Sequence, residues 1–131
     1  MEANCHCGSV CFEVSRDPVD IFDCNCSICR RLGTLWAYFR PDEVQLVRGS
    51  GHTDVYRWGP QHIEFHSCRT CGCTTHWQST SNPDTARKMG INARLMDALD
   101  RSSVRLWQID MGESGIFWPP ASPEPDRSGQ K

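Results

Sequence analysis

Apolar positions recur at every second residue along much of this chain, the period of a half-buried strand. In "SVCFEVSR" (9–16) Val10, Phe12 and Val14 fall on one side and Cys11 and Glu13 on the other. "TLWAYFR" (34–40) and "EVQLVRG" (43–49) read as strands joined by a turn at Pro41-Asp42. "TDVYRW" (53–58) and "HIEFHS" (62–67) read as a hairpin about Gly59-Pro60. "TTHWQST" (74–80) continues the pattern, and "SVRLWQI" (103–109) is a late strand. Helix is expected only as a turn around Ser27–Leu32 and a turn or two within "ARLMDALD" (93–100). Many short strands broken by Gly and Pro predict a mainly β, antiparallel domain with few short helices. From Pro119 onward "PPASPEPDRSGQK" is Pro- and Ser-rich and almost without apolar side chains. The expected organisation is one domain over 1–118 and a disordered tail over 119–131.

Cysteine content changes this picture more than anything else in the composition. The 131 residues include nine cysteines, an odd number that cannot all form internal disulfides. The opening "MEANCHCGSV" has neither the basic end nor the apolar run of a secretory signal, so a reducing, cytoplasmic setting is expected. Clustered thiols in that setting point first to metal. Net charge is −2, and the one compact basic pair is Arg30-Arg31, so no nucleic-acid partner is expected. No stretch approaches the ~20 apolar residues of a membrane span, so none is expected to enter a membrane.

The thiols sort into two unequal sets. "CRTCGC" (68–73) contains a Cys-x-x-Cys-Gly knuckle that turns Cys68 and Cys71 toward one point. "CHCG" (5–8) supplies Cys5 and Cys7, with Gly8 to allow the bend. Four thiolates close a tetrahedral shell, the arrangement of a structural zinc ion. The competing reading of Cys68 and Cys71 as a redox pair lacks the βαβ context such motifs occupy. In "DCNCSICRR" (23–31) Cys24, Cys26 and Cys29 can curl around a second ion if a helical turn starts near Ser27. Three protein ligands leave a position open for water or substrate, as catalytic sites do. A closed site stays an alternative, with His52, His62, His66, His76, Cys11 or Cys73 as the fourth ligand. Arg30 and Arg31 would offset the negative charge of the thiolates and offer a grip for a substrate carboxylate.

"CHCGSVCF", "CNCSICRR" and "CRTCGC", with "GTLWAYF", "FHSCRTCGCTTHW" and "GINARLMD", resemble the GFA family over roughly residues 4 to 110. That family is named for the glutathione-dependent formaldehyde-activating enzyme and includes the centromere protein V relatives. The resemblance implies an antiparallel β-tent fold with two zinc ions per chain. One would be structural, held by Cys5, Cys7, Cys68 and Cys71; the other catalytic, held by Cys24, Cys26 and Cys29. It also implies a carbon–sulfur lyase that adds glutathione, or a related thiol, to formaldehyde or a similar small carbonyl. The alternative is a zinc-stabilised module that binds glutathione or a protein without turnover.

Overall fold

The computed structural model describes residues 1–58, 63–80, 88–110 and 116–118. Among these described residues the regular structure is eleven strands, one short α-helix and a few 3₁₀ turns. A three-stranded sheet has the order β1-β2-β5, from β1 (Glu2–Asn4), β2 (Cys11–Val14) and β5 (Val44–Arg48). The larger sheet has eight strands in the order β11-β10-β3-β4-β9-β8-β7-β6. Its members are β3 (Asp20–Cys24), β4 (Trp36–Phe39), β6 (Thr53–Trp58), β7 (Ile63–Cys68), β8 (Thr74–Ser79), β9 (Met89–Asn92), β10 (Arg105–Asp110) and β11 (Ile116–Trp118). The helix α1 (Cys29–Leu32) follows β3. No helix among the described residues is long and apolar enough to cross a membrane.

The mainly β architecture and most strand positions agree with the alternation in the sequence. Four strands that the alternation did not mark are present: β1, β3, β9 and β11. All four are short, from three to five residues, so a two-residue period has little length in which to show. The pairing of β3 with β10 is parallel, against an otherwise antiparallel scheme. Its partners, such as Phe22 and Trp107, lie far apart in sequence, beyond the reach of turn signals. "ARLMDALD" forms only a 3₁₀ turn over Ala93–Leu95, begun by the Asn92 side chain accepting the Arg94 N–H. The expected turn at Gly59-Pro60 and the tail over 119–131 lie outside the described residues.

Alternation gives the large sheet two faces of different character. One face packs against the small sheet through Val10, Phe12, Val14, Ile21, Phe39 and Ile91, which form the main core. Fully burying a side chain such as Phe12 or Ile91 contributes about 1.5–3 kcal/mol. The opposite face holds a second cluster in which Trp36, Phe65 and Trp77 surround Cys24, Cys26 and Cys29. Register explains the grouping: Phe22 lies opposite Trp36, Tyr38 opposite Gly90, Gly90 opposite Trp77, and Trp77 opposite Phe65. Directly opposed residues share a face.

Gly90 is a packing requirement of that aromatic row. A Cβ at this position would overlap the Trp77 indole, which lies directly over the β9 backbone. Gly90→Ala should therefore lower stability by about 1–3 kcal/mol, the usual penalty for overpacking. Denaturant unfolding checks this; an unchanged midpoint would mean that the indole has free space to move.

Candidate metal centres

The first centre forms where two tight turns meet. Between β1 and β2 the Cys5 N–H donates to Val10 O, and the Gly8 N–H to Cys5 O. At the tip of the β7–β8 hairpin the Cys68 N–H donates to Cys73 O, and the Gly72 N–H to Cys68 O. Gly8 (φ 81°) and Gly72 (φ 80°) take the left-handed conformation that both turns require. As a result the Sγ atoms of Cys5, Cys7, Cys68 and Cys71 all lie within 4.8 Å of one another. Cys5–Cys7 and Cys7–Cys68 are each 3.7 Å apart. Sulfurs at about 2.3 Å from a tetrahedral zinc stand about 3.8 Å apart, so the spacing fits that ion.

Backbone amides are aimed at these sulfurs. Val10 N–H donates to Cys5 Sγ at 3.2 Å and Thr70 N–H to Cys68 Sγ at 3.4 Å. Burial raises the Cys71 thiol, but amide hydrogen bonds from Cys73 and Cys7 outweigh it and bring the group down to about 5. Burial pushes Cys5 up to about 11, against the Val10 amide. Some thiols of the set ionise readily while others hold their protons, a division that a bound cation removes by displacing the protons.

The second centre lies on the opposite face of the large sheet. Cys24 ends β3, Cys26 sits in the bend beyond it, and Cys29 opens α1. All three are buried, with Sγ atoms within 4.8 Å of one another. The Asn25 N–H to Ile109 O bond (3.0 Å) continues the parallel ladder past Cys24 and fixes where the bend begins. Cys29 N–H donates to Cys26 Sγ, and the buried Trp36 Nε1–H donates to Cys29 Sγ, both at 3.4 Å. A hydrogen bond from Cys29, opposed by burial, lowers the Cys24 thiol to about 6. The same bond, reinforced by burial, raises Cys29. Of these two thiols Cys24 is thus the one that takes the negative charge, which favours a cation.

Among the described residues, no fourth His, Cys, Asp or Glu joins this set at that spacing. His52 bonds Thr70 Oγ1 (2.7 Å). His66 bonds Thr53 and Glu64, and His76 bonds Thr75. Cys11 is buried on β2, facing Phe12 O, and Cys73 lies beside the first centre next to Cys71. His62 lies outside the described residues. Arg30 and Arg31 stand exposed in the last turn of α1, and the Arg31 guanidinium donates to Ser27 O at 2.8 Å. Trp36 was not singled out by the sequence reading as a partner of the centre. The alternation of "TLWAYFR" puts Trp36 and Tyr38 on one face but does not say which face the thiols share.

The centres should respond differently to loss of one thiol. Cys68→Ser breaks a set whose members come from segments 61 residues apart and should cost about 4 kcal/mol or more. Cys26→Ser breaks a set confined to one short segment and should leave a folded chain that takes up one metal ion fewer. Native mass spectrometry with thermal unfolding reads both; equal destabilisation by the two variants would contradict the assignment.

A protein from Rhodobacter sphaeroides, whose crystal structure was determined as a structural-genomics target, is similar to this chain at 31% identity. The match covers 76% of this chain and 91% of that one, with a TM-score of 0.65. The family model for the glutathione-dependent formaldehyde-activating enzyme, GFA, matches residues 1–108, which include both thiol sets. On that match the chain belongs to the GFA family.

Proposed function

We propose that this chain is a zinc-dependent carbon–sulfur lyase that joins glutathione, or a related thiol, to formaldehyde or a similar small carbonyl, and releases it in reverse. The observation that carries the reading is the three-thiol set of Cys24, Cys26 and Cys29, which has no fourth protein donor among the described residues. Family membership supplies the substrate class. Two zinc ions per chain are part of the proposal, one at each thiol set.

Zinc at the second centre would supply a Lewis acid next to which a thiol loses its proton at neutral pH. The chain's own residues do the rest. Trp36 N–H holds Cys29 Sγ in place and withdraws charge from it. The surrounding Trp36, Phe65 and Trp77 rings keep water away from the sulfurs. In the reaction a sulfur–carbon bond forms, the carbonyl π bond breaks, and the thiol proton ends on the new hydroxyl. His66 and His76 pair with each other across β7 and β8 on the face directed at Phe12, so neither serves as base at the Cys24 set. Arg30 and Arg31, exposed at the end of α1, would meet the glutathione carboxylates.

Exchange NMR of glutathione with formaldehyde tests the reading. Wild type should speed interconversion with the S-hydroxymethyl adduct, and Cys26→Ser should return it to the uncatalysed rate. A folded, metal-loaded protein that binds glutathione without accelerating exchange would instead establish the non-catalytic module. Because both arginines are exposed, Arg30→Ala or Arg31→Ala should weaken glutathione by less than about 1 kcal/mol. Binding of 2-mercaptoethanol, which has no carboxylate, should not change in the same titration; equal losses for both thiols would remove the arginines from the site.

A further inference from the structure

A polar cavity lies on the other face of the large sheet, between β7 and β8 and the Gly49–Gly51 turn of the small-sheet side. His66, His76, Gln78, Thr53 and Leu46 contribute to its lining, and it is open to solvent on one side, with a volume of about 190 Å³. That is more than about ten times the space a single water needs. His76 is only 6% exposed, and its ring stacks on His66 at 4.2 Å with an interplanar angle of 19°.

Hydrogen bonds decide which His76 nitrogen carries the proton. Thr75 O–H donates to His66 O at 3.2 Å, so the Thr75 hydroxyl has only lone pairs left for its second partner. That partner is His76 Nδ1 at 2.8 Å, which in this arrangement is assigned the N–H. Nε2 is then an unprotonated acceptor. It has no hydrogen-bond partner among the described residues, and it is not among the buried polar atoms sealed from solvent without one. Burial lowers the group to about 3 and keeps it neutral.

The neighbours have spent their donors elsewhere. Gln78 turns its NH₂ toward Glu64 Oε1 (3.4 Å), leaving its carbonyl oxygen. His66 Nε2 faces the same carboxylate (3.3 Å) and so carries the proton; its Nδ1 accepts the Thr53 hydroxyl (2.7 Å). The cavity thus presents acceptors: His76 Nε2, the Gln78 carbonyl and the Thr53 lone pairs. The lining contains no Asp, Glu, Lys or Arg, so these acceptors match an uncharged ligand with N–H donors.

We infer that this cavity is a second small-molecule site, distinct from both thiol sets, in which His76 Nε2 and the Gln78 carbonyl accept hydrogen bonds from a compact, uncharged amide-type ligand. It shares no residue with the Cys24 set and does not depend on the reaction proposed there.

Long-range ¹H–¹⁵N spectra of the metal-loaded, ¹⁵N-histidine-labelled protein test it in two steps. In the first, His76 should show the Nδ1–H tautomer; the Nε2–H form would overturn the proposal. In the second, acetamide is the probe, and acetone, of similar shape without N–H groups, is the control. Acetamide should move the His76 Nε2 resonance in a saturable way, while acetone should leave it in place. An equal shift from both, or none from acetamide, would mean the cavity holds only water and would overturn the site. Thr75→Val removes the hydroxyl that fixes the tautomer at almost constant volume. It should give mixed tautomers and at least a several-fold weaker acetamide response; an unchanged response would contradict the argument.

Discussion

The meeting of Cys5, Cys7, Cys68 and Cys71 is the constraint on which the arrangement of the two sheets depends. Their sulfurs stand 3.7 Å apart in the closest pairs, at the join between the β1–β2 turn and the β7–β8 hairpin. Sulfur atoms packed so closely gain little from one another; amides and a cation make the junction favourable. The small sheet has three strands, one of them three residues long, and the thiol junction adds to the hold of its apolar contacts on the large sheet. Fixing this corner sets the register of β7 and β8, and through them the rest of the large sheet.

With the sheet fixed, strand alternation assigns chemistry to its two faces. Phe22, Trp36, Tyr38, Trp77 and Phe65 line the face that carries the Cys24 set. His66, His76 and Gln78 fall on the other, against the small sheet. The absence of a side chain at Gly90 lets the Trp77 indole close over the middle of the aromatic row. The protein thus has a sulfur-rich, water-poor face and an imidazole-bearing face, separated by one layer of backbone. Proton-transfer roles at the Cys24 set must therefore be sought among groups other than the histidines of β7 and β8.

Much of this was legible in the sequence because the ligand spacings are local. A Cys-x-x-Cys-Gly turn converges its sulfurs wherever it is placed, and Cys24, Cys26 and Cys29 lie within six residues. The strands carrying Phe12, Trp36, Phe65 and Trp77 were readable from alternation. The short strands β1, β3, β9 and β11 were not: Glu2, Asp20, Asp23 and Asn92 interrupt the apolar period in the first three, and β11 has only three residues. The parallel β3–β10 pair and the Trp36–Cys29 hydrogen bond depend on strand order, which no local pattern encodes. The separation of the histidines from the second thiol set has the same origin. Alternation places residues on alternate faces but leaves open which neighbours meet there.

The central claim is that the two thiol sets differ by one ligand, four sulfurs closing one site and three leaving the other open. Zinc-edge X-ray absorption of the fully loaded protein, with and without glutathione, tests it most directly. Without thiol the account predicts an all-sulfur shell at one zinc, and three sulfurs with one oxygen or nitrogen at the other. Glutathione should replace that lighter atom with sulfur. An all-sulfur shell at both ions before glutathione is added, or a lighter-atom shell that glutathione leaves unchanged, would contradict it.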